Sequence, residues 1–161
     1  MSRKIRTISG YKIDYWDGYT GSITLGGYEE LPPPNIPGVN LSSKDLSWAV
    51  LANGNLQGAN LSSANLSHAN LAGIDLQGAN LTYANLSGAF MRGAQLQGAN
   101  LTGANMSSAW LESAQFADAN LYDANMSGAH NPFTYVDKER FWGVIWNEGT
   151  IWSDEGFRPS N

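Results

Sequence analysis

From Val39 to Gly128 the chain sets a large apolar residue at every fifth position, a spacing that few folds accept. The series starts at Leu41 and ends at Met126. Fourteen of its eighteen members are Leu, three are Met (Met91, Met106, Met126) and one is Phe116. Ala stands two residues earlier in fourteen of eighteen repeats, and Asn stands immediately before in eleven. A period of five fits neither a helix of 3.6 residues per turn nor a strand of period 2. It fits a chain that turns a corner at a fixed interval. Four corners close a square and predict a superperiod of twenty. That superperiod is present: Leu-Gln-Gly-Ala-Asn recurs at 56–60, 76–80 and 96–100, and Ser47, Ser67, Ser87, Ser107 and Ser127 fall into one column.

Stacked coils bury what single repeats cannot, so the Leu, Met and Phe members and the Ala two before them point inward. Eighteen units over four faces give four and a half coils, roughly 22 Å tall at a ladder spacing of about 4.8 Å. Ile74 overfills one inward position and Gly54 underfills another. Lys44 occupies a third, where a buried ammonium is costly, so its amine is expected to reach past an open rim. The Asn residues recur on every face. They suit local backbone bonds or ladders along a column and read as structure, not as one site. Matches to Asn-X-Ser/Thr, such as Asn60-Leu61-Ser62, follow from the repeat itself.

Units such as Ala59-Asn60-Leu61, Ala64-Asn65-Leu66, Ala84-Asn85-Leu86 and Ala104-Asn105-Met106 resemble those of the pentapeptide-repeat family over about ninety uninterrupted residues. The resemblance implies an all-β fold, a right-handed quadrilateral β-helix with the central Leu and the preceding small residue inward and tight turns at the corners. It also implies a family widespread in bacteria, cyanobacteria above all, most of whose members have no known biochemical role. A subset resembles DNA in shape and charge and protects DNA gyrase from inhibitors.

The remaining sequence divides into residues 1–38, an N-terminal hairpin and proline-rich arm, the β-helix at 39–130, and an aromatic C-terminal cap at 131–161. Ser9 to Leu25 reads as a hairpin that turns at Asp17-Gly18, and Leu31 to Gly38 as a stiff extended arm. The cap is assigned to Phe133, Tyr135, Phe141, Trp142, Trp146 and Trp152, because an open β-helix end exposes backbone edges and core Leu that need shielding.

Function is sought on the outward positions. One face breaks the polar pattern: its column before the central residue runs Val50, Asn70, Phe90, Trp110 and on to His130, with Arg92 and Glu112 beside it. Trp48 adds a ring nearby. Trp48, Val50, Phe90, Arg92, Trp110 and Glu112 are the candidate interaction surface, since exposed Phe and Trp anchor interfaces.

Other chemistry is thin. His68 and His130 are the only histidines, there is no cysteine, and no nucleophile stands with an oriented base. No catalytic, cofactor-binding or metal site is expected, and the chain is read as a non-enzyme. Charged residues make up 14% of the sequence, against roughly 25% in a typical soluble protein, and the net charge is -5. Arg3-Lys4-Arg6 is the one basic cluster, so direct nucleic-acid binding is not expected. No apolar run reaches the length of a membrane span. No signal peptide is read at the N-terminus, and the default expectation is a cytoplasmic location. These readings converge on a non-enzymatic structural or protein-interaction module whose partner is another protein or a second copy. The alternative is an acidic DNA mimic acting on a topoisomerase. Only Asp45, Asp75, Glu112, Asp118 and Asp123 stand against Lys44 and Arg92 in the body, a net of -3, which is sparse for a duplex mimic.

Overall fold

The computed structural model describes residues 3–8, 11–16 and 33–130. The body is a four-sided coil. Parallel bridges join each residue before a central position to its equivalent twenty residues on, from Asn35↔Asn55 through Trp110↔His130. Every corner is a turn in which the N–H of the small inward residue donates to the preceding central carbonyl, as in Ala84 to Leu81 at 3.0 Å. The residue just before that donor has φ between 55 and 68° at all nineteen corners from Gly38 to Gly128. A positive φ at the third turn residue alone defines a type II turn.

The five N–H groups of a repeat explain why its residues are what they are. In the repeat Ala84–Gly88, the Asn85 N–H donates to the coil before, at Ala64, and the Leu86 and Gly88 N–H groups donate to the coil after, at Asn105 and Ser107. The Ala89 N–H that follows closes the turn on Leu86. That leaves the N–H of Ser87, which the Asn85 Oδ1 accepts at 3.2 Å. All thirteen Asn or Asp residues before a central position between 40 and 125 accept this bond. The recurrent Asn is therefore a device for the one backbone donor that neither the ladder nor the turn can use. Several also join into ladders, with the Asn65, Asn85 and Asn105 amides donating to Asp45, Asn65 and Asn85 at 3.1, 3.3 and 3.4 Å.

The core is a single file of central residues and their small neighbours, Leu41 to Met126 all 0–1% exposed. Ile74 is fully buried, and Lys44 is exposed, as expected of an amine at the rim.

The coil begins one repeat earlier than the sequence reading had it. Pro34-Asn35-Ile36-Pro37-Gly38 is a repeat, with Ile36 buried and Asn35 bridged to Asn55. The expected boundary at Val39 and the stiff arm through Gly38 are corrected accordingly. Pro37 and Gly38 are the favoured second and third residues of a type II turn, and Pro37 has no N–H to satisfy. Gly54 also finds its reason here. A Cβ on it would lie 2.8 Å from the Pro34 ring, so the glycine admits the proline.

The N-terminal segment forms a strand pair that the sequence pattern does not announce. β1 (Arg3–Ile8) pairs antiparallel with β2 (Tyr11–Trp16), in the register Ile8↔Tyr11. The expected turn at Asp17-Gly18 and the return strand from Tyr19 to Leu25 lie outside the described residues. β2 then pairs antiparallel with β3 (Ala49–Val50), through Asp14↔Val50 and Tyr15↔Ala49. The hairpin thus continues one face of the coil as a sheet in the order β1-β2-β3.

Candidate functional site

The face that β1 and β2 extend is the one with the irregular column. Val50 at its head lies in β3 and is half-buried, and Asn70 below it still accepts the Ala72 N–H at 3.2 Å. Phe90 and Trp110 follow, 45% and 40% exposed. Their rings stack at 6.2 Å between centroids and 15° between planes, and Trp110 stacks in turn on His130 at 4.2 Å and 25°. The inter-coil bridges Phe90↔Trp110 and Trp110↔His130 hold the three residues in register. The rings turn their faces on one another and present their edges outward. Ser87, Gly88, Ser107, Ser108 and Gly128 form the corner to one side, so a ridge of rings stands above a low margin. On the other side Arg92 is exposed and Glu112, one coil below, is half-buried.

Trp48 belongs to the adjoining corner, with a φ of 63°, and stacks on His68 at 4.6 Å. It forms a second, separate pile near the start of the coil. The six proposed surface residues therefore do not form one patch: Phe90, Trp110, Arg92 and Glu112 come together, Val50 stands two coils above Phe90, and Trp48 turns the corner. His68 and His130 are both members of aromatic stacks. Their signal was the same spacing of twenty, 48 to 68 and 110 to 130. The six aromatic residues assigned to the cap lie outside the described residues.

Phe90 and Trp110 carry a structural cost that Val50, Gln95 and Gln115 share. Neither offers an oxygen to the N–H two residues on, so the Arg92 and Glu112 N–H groups go without the bond that Asn supplies elsewhere. A lost hydrogen bond of this kind is worth about 1 kcal/mol, and stacking of the rings returns about as much.

No group of three or more His, Cys, Asp or Glu that could hold an ion occurs among the described residues. No helix among them is long and apolar enough to cross a membrane.

The family model for pentapeptide repeats matches in eight copies between residues 38 and 130, more than half of the chain. The chain belongs to the pentapeptide-repeat family. Its body is accordingly a right-handed quadrilateral β-helix. Among solved structures, the pentapeptide-repeat protein Rfr23 of the cyanobacterium Cyanothece is 32% identical with a TM-score of 0.57, over 74% of this chain and 88% of that one. A second pentapeptide-repeat protein, alr5209 of Nostoc, is 32% identical with a TM-score of 0.54, over 67% and 84%. HetL of Nostoc, involved in heterocyst differentiation regulation, is 31% identical with a TM-score of 0.53, and the match spans about half of its length. No curated protein matches.

Proposed function

We propose that this pentapeptide-repeat protein is a non-catalytic interaction module that engages protein through the column Phe90–Trp110–His130. One observation carries the reading. At Phe90 and Trp110 the coil forgoes the Asn oxygen that all thirteen Asn or Asp equivalents supply, and exposes aromatic edges in its place. Large aromatic rings left about half exposed on an otherwise polar wall are typical anchors of interfaces. A filled coil otherwise offers rings and charges on a rigid wall, which suits recognition and not turnover.

The reading as an acidic mimic of DNA has less support than the charge count gives it. Two of the five carboxylates are standing in for Asn. Asp45 accepts the Ser47 N–H and hydroxyl, and Asp75 accepts the Gln77 N–H and the Gln57 amide. Asp118 and Asp123 lie at two successive corners, so they form no single row.

The test is affinity capture from the source organism's own extract with wild type beside the Phe90→Ser/Trp110→Ser variant. Both side chains lie outside the core, so the variant is expected to keep the wild-type circular dichroism while losing the proteins that wild type recovers. Equal recovery by both rejects the column as the binding surface.

A further inference from the structure

We infer that the partner this face is built for includes a second copy of the same chain, docked antiparallel across a two-fold axis that runs along the strand direction between the levels of Phe90 and Trp110. The inference rests on the reading of the column as an interaction surface, and the arrangement of charge beside the ridge selects the occupant.

Phe90 and Trp110 are bridged on successive coils, so Arg92 and Glu112 stand one above the other, about 5 Å apart along the rod. A two-fold axis lying in the face and directed along the strands exchanges upper and lower levels and leaves left and right unchanged. Placed between the two coils, it sets Phe90 against Trp110 of the second copy and Trp110 against its Phe90. It also sets Arg92 against Glu112 of the second copy, and Glu112 against its Arg92. The same operation brings Asn70 opposite His130. One patch is thereby complementary to itself in shape, apolarity and charge, which is the requirement of an isologous contact.

Neighbouring arrangements fail on the same residues. An axis at the level of Trp110 opposes Glu112 to Glu112. An axis parallel to the rod opposes Arg92 to the Ser87–Gly88 corner, which has no charge. Arg92 is exposed and Glu112 half-buried, so both side chains reach the surface beside the ridge. Ridge meets ridge in this dimer, and the long side chains of Arg92 and Glu112 bridge the gap beside it.

Sedimentation equilibrium of the full chain tests this between roughly 1 and 100 μM. The mass of wild type is expected to rise from monomer to dimer across that range. R92E and E112R each set like charges together at both ends of the two-fold, and each weakens dimerisation about tenfold or more. The double variant R92E/E112R restores it. An equimolar mixture of the two single variants restores it as well, because opposite charges then meet at both contacts. A wild type that stays monomeric overturns the inference and leaves the face to the chain's own residues 131–161 or to a different protein. A dimer indifferent to single reversal, or one that neither combination restores, overturns it too. Because Arg92 and Glu112 are outside the core, unchanged circular dichroism separates these outcomes from misfolding. If dimerisation fails while Phe90→Ser/Trp110→Ser still loses its captured proteins, the proposed function stands and this inference alone falls.

Discussion

The corner residue decides what this fold tolerates. Each corner needs a positive φ, a region that costs an L-residue about 1–2 kcal/mol, yet ten of the nineteen corners carry a side chain. Those side chains lie along the rod over the next coil, and what lies beneath sets a second constraint. Tyr83 covers Gly103, His68 covers Gly88, and Asn53 covers Gly73, so a Cβ on any of these glycines meets the residue above, at 2.6 Å from the imidazole in the case of Gly88. Gly98 has the same φ and open space around it. The pair separates backbone strain from crowding. Gly98→Ala should cost about 1 kcal/mol, from φ alone. Gly103→Ala should cost about 2 kcal/mol, because the Tyr83 ring must also swing away. In the Tyr83→Ser/Gly103→Ala variant the excess should vanish, bringing the loss back to that of Gly98→Ala. Urea unfolding of the three variants measures this, and equal losses for Gly98→Ala and Gly103→Ala would refute the crowding account.

At the scale of the repeat, the Asn before each central residue serves two directions at once. Asn85 accepts the Ser87 N–H, donates to Asn65 and accepts from Asn105. Asn85→Ala should lose about 1–2 kcal/mol, since it leaves a backbone donor unserved as well as breaking the ladder. Asn85→Asp keeps the acceptor and loses only the donor to Asn65, so it should cost less. Unfolding curves that rank Asp as the worse substitution would refute the assignment. Much of this repeat was legible in the chain, because one inward Leu and one small partner every five residues admit one wall geometry and a count of four corners. Its bonding was not. Whether Asn serves its own backbone, its column or both depends on which N–H the coil leaves over, and that follows only from the inter-coil register. The first repeat was hidden for a related reason. Pro34 and Pro37 look like chain breakers until Gly54 is seen to make room for one and a type II corner to want the other. The pairing of Arg3–Ile8 with Tyr11–Trp16 was hidden because so charged a strand carries little apolar alternation to disclose it. At the site, the spacing of twenty disclosed the column from Phe90 to His130, and the same spacing relates Trp48 to the His68 on which it stacks.

For the whole molecule the difficulty is the ends of a coil whose every rung wants a neighbour. The first coil enters at Asn35, so the faces headed by Asn35, Asn40 and Asp45 start their ladders there, and the face headed by Val50 would start fifteen residues later. On that face β2 pairs with both residues of β3, and β1 is the outermost of the described strands. Arg3, Lys4 and Arg6 in β1 suit that position, since charged edge strands resist pairing with further chains. The hairpin therefore shields the one face that also exposes the aromatic ridge. Removing residues 1–16 should strip two rungs' worth of pairing at Ala49 and Val50, a loss of about 1–3 kcal/mol, and bare an uncharged edge above Phe90. Amide exchange at Ala49 and Val50 should accelerate while that at Leu81 to Leu101, mid-coil, stays slow. Light scattering should show assembly beyond the dimer, because a bare β edge recruits chains without the two-fold that closes the lateral contact. A truncated chain with unchanged exchange at Ala49 and Val50 would mean that β2 contributes nothing to the edge. One that exchanges faster yet stays no larger than a dimer would mean that the charged strand is not what keeps these coils from stacking end to end.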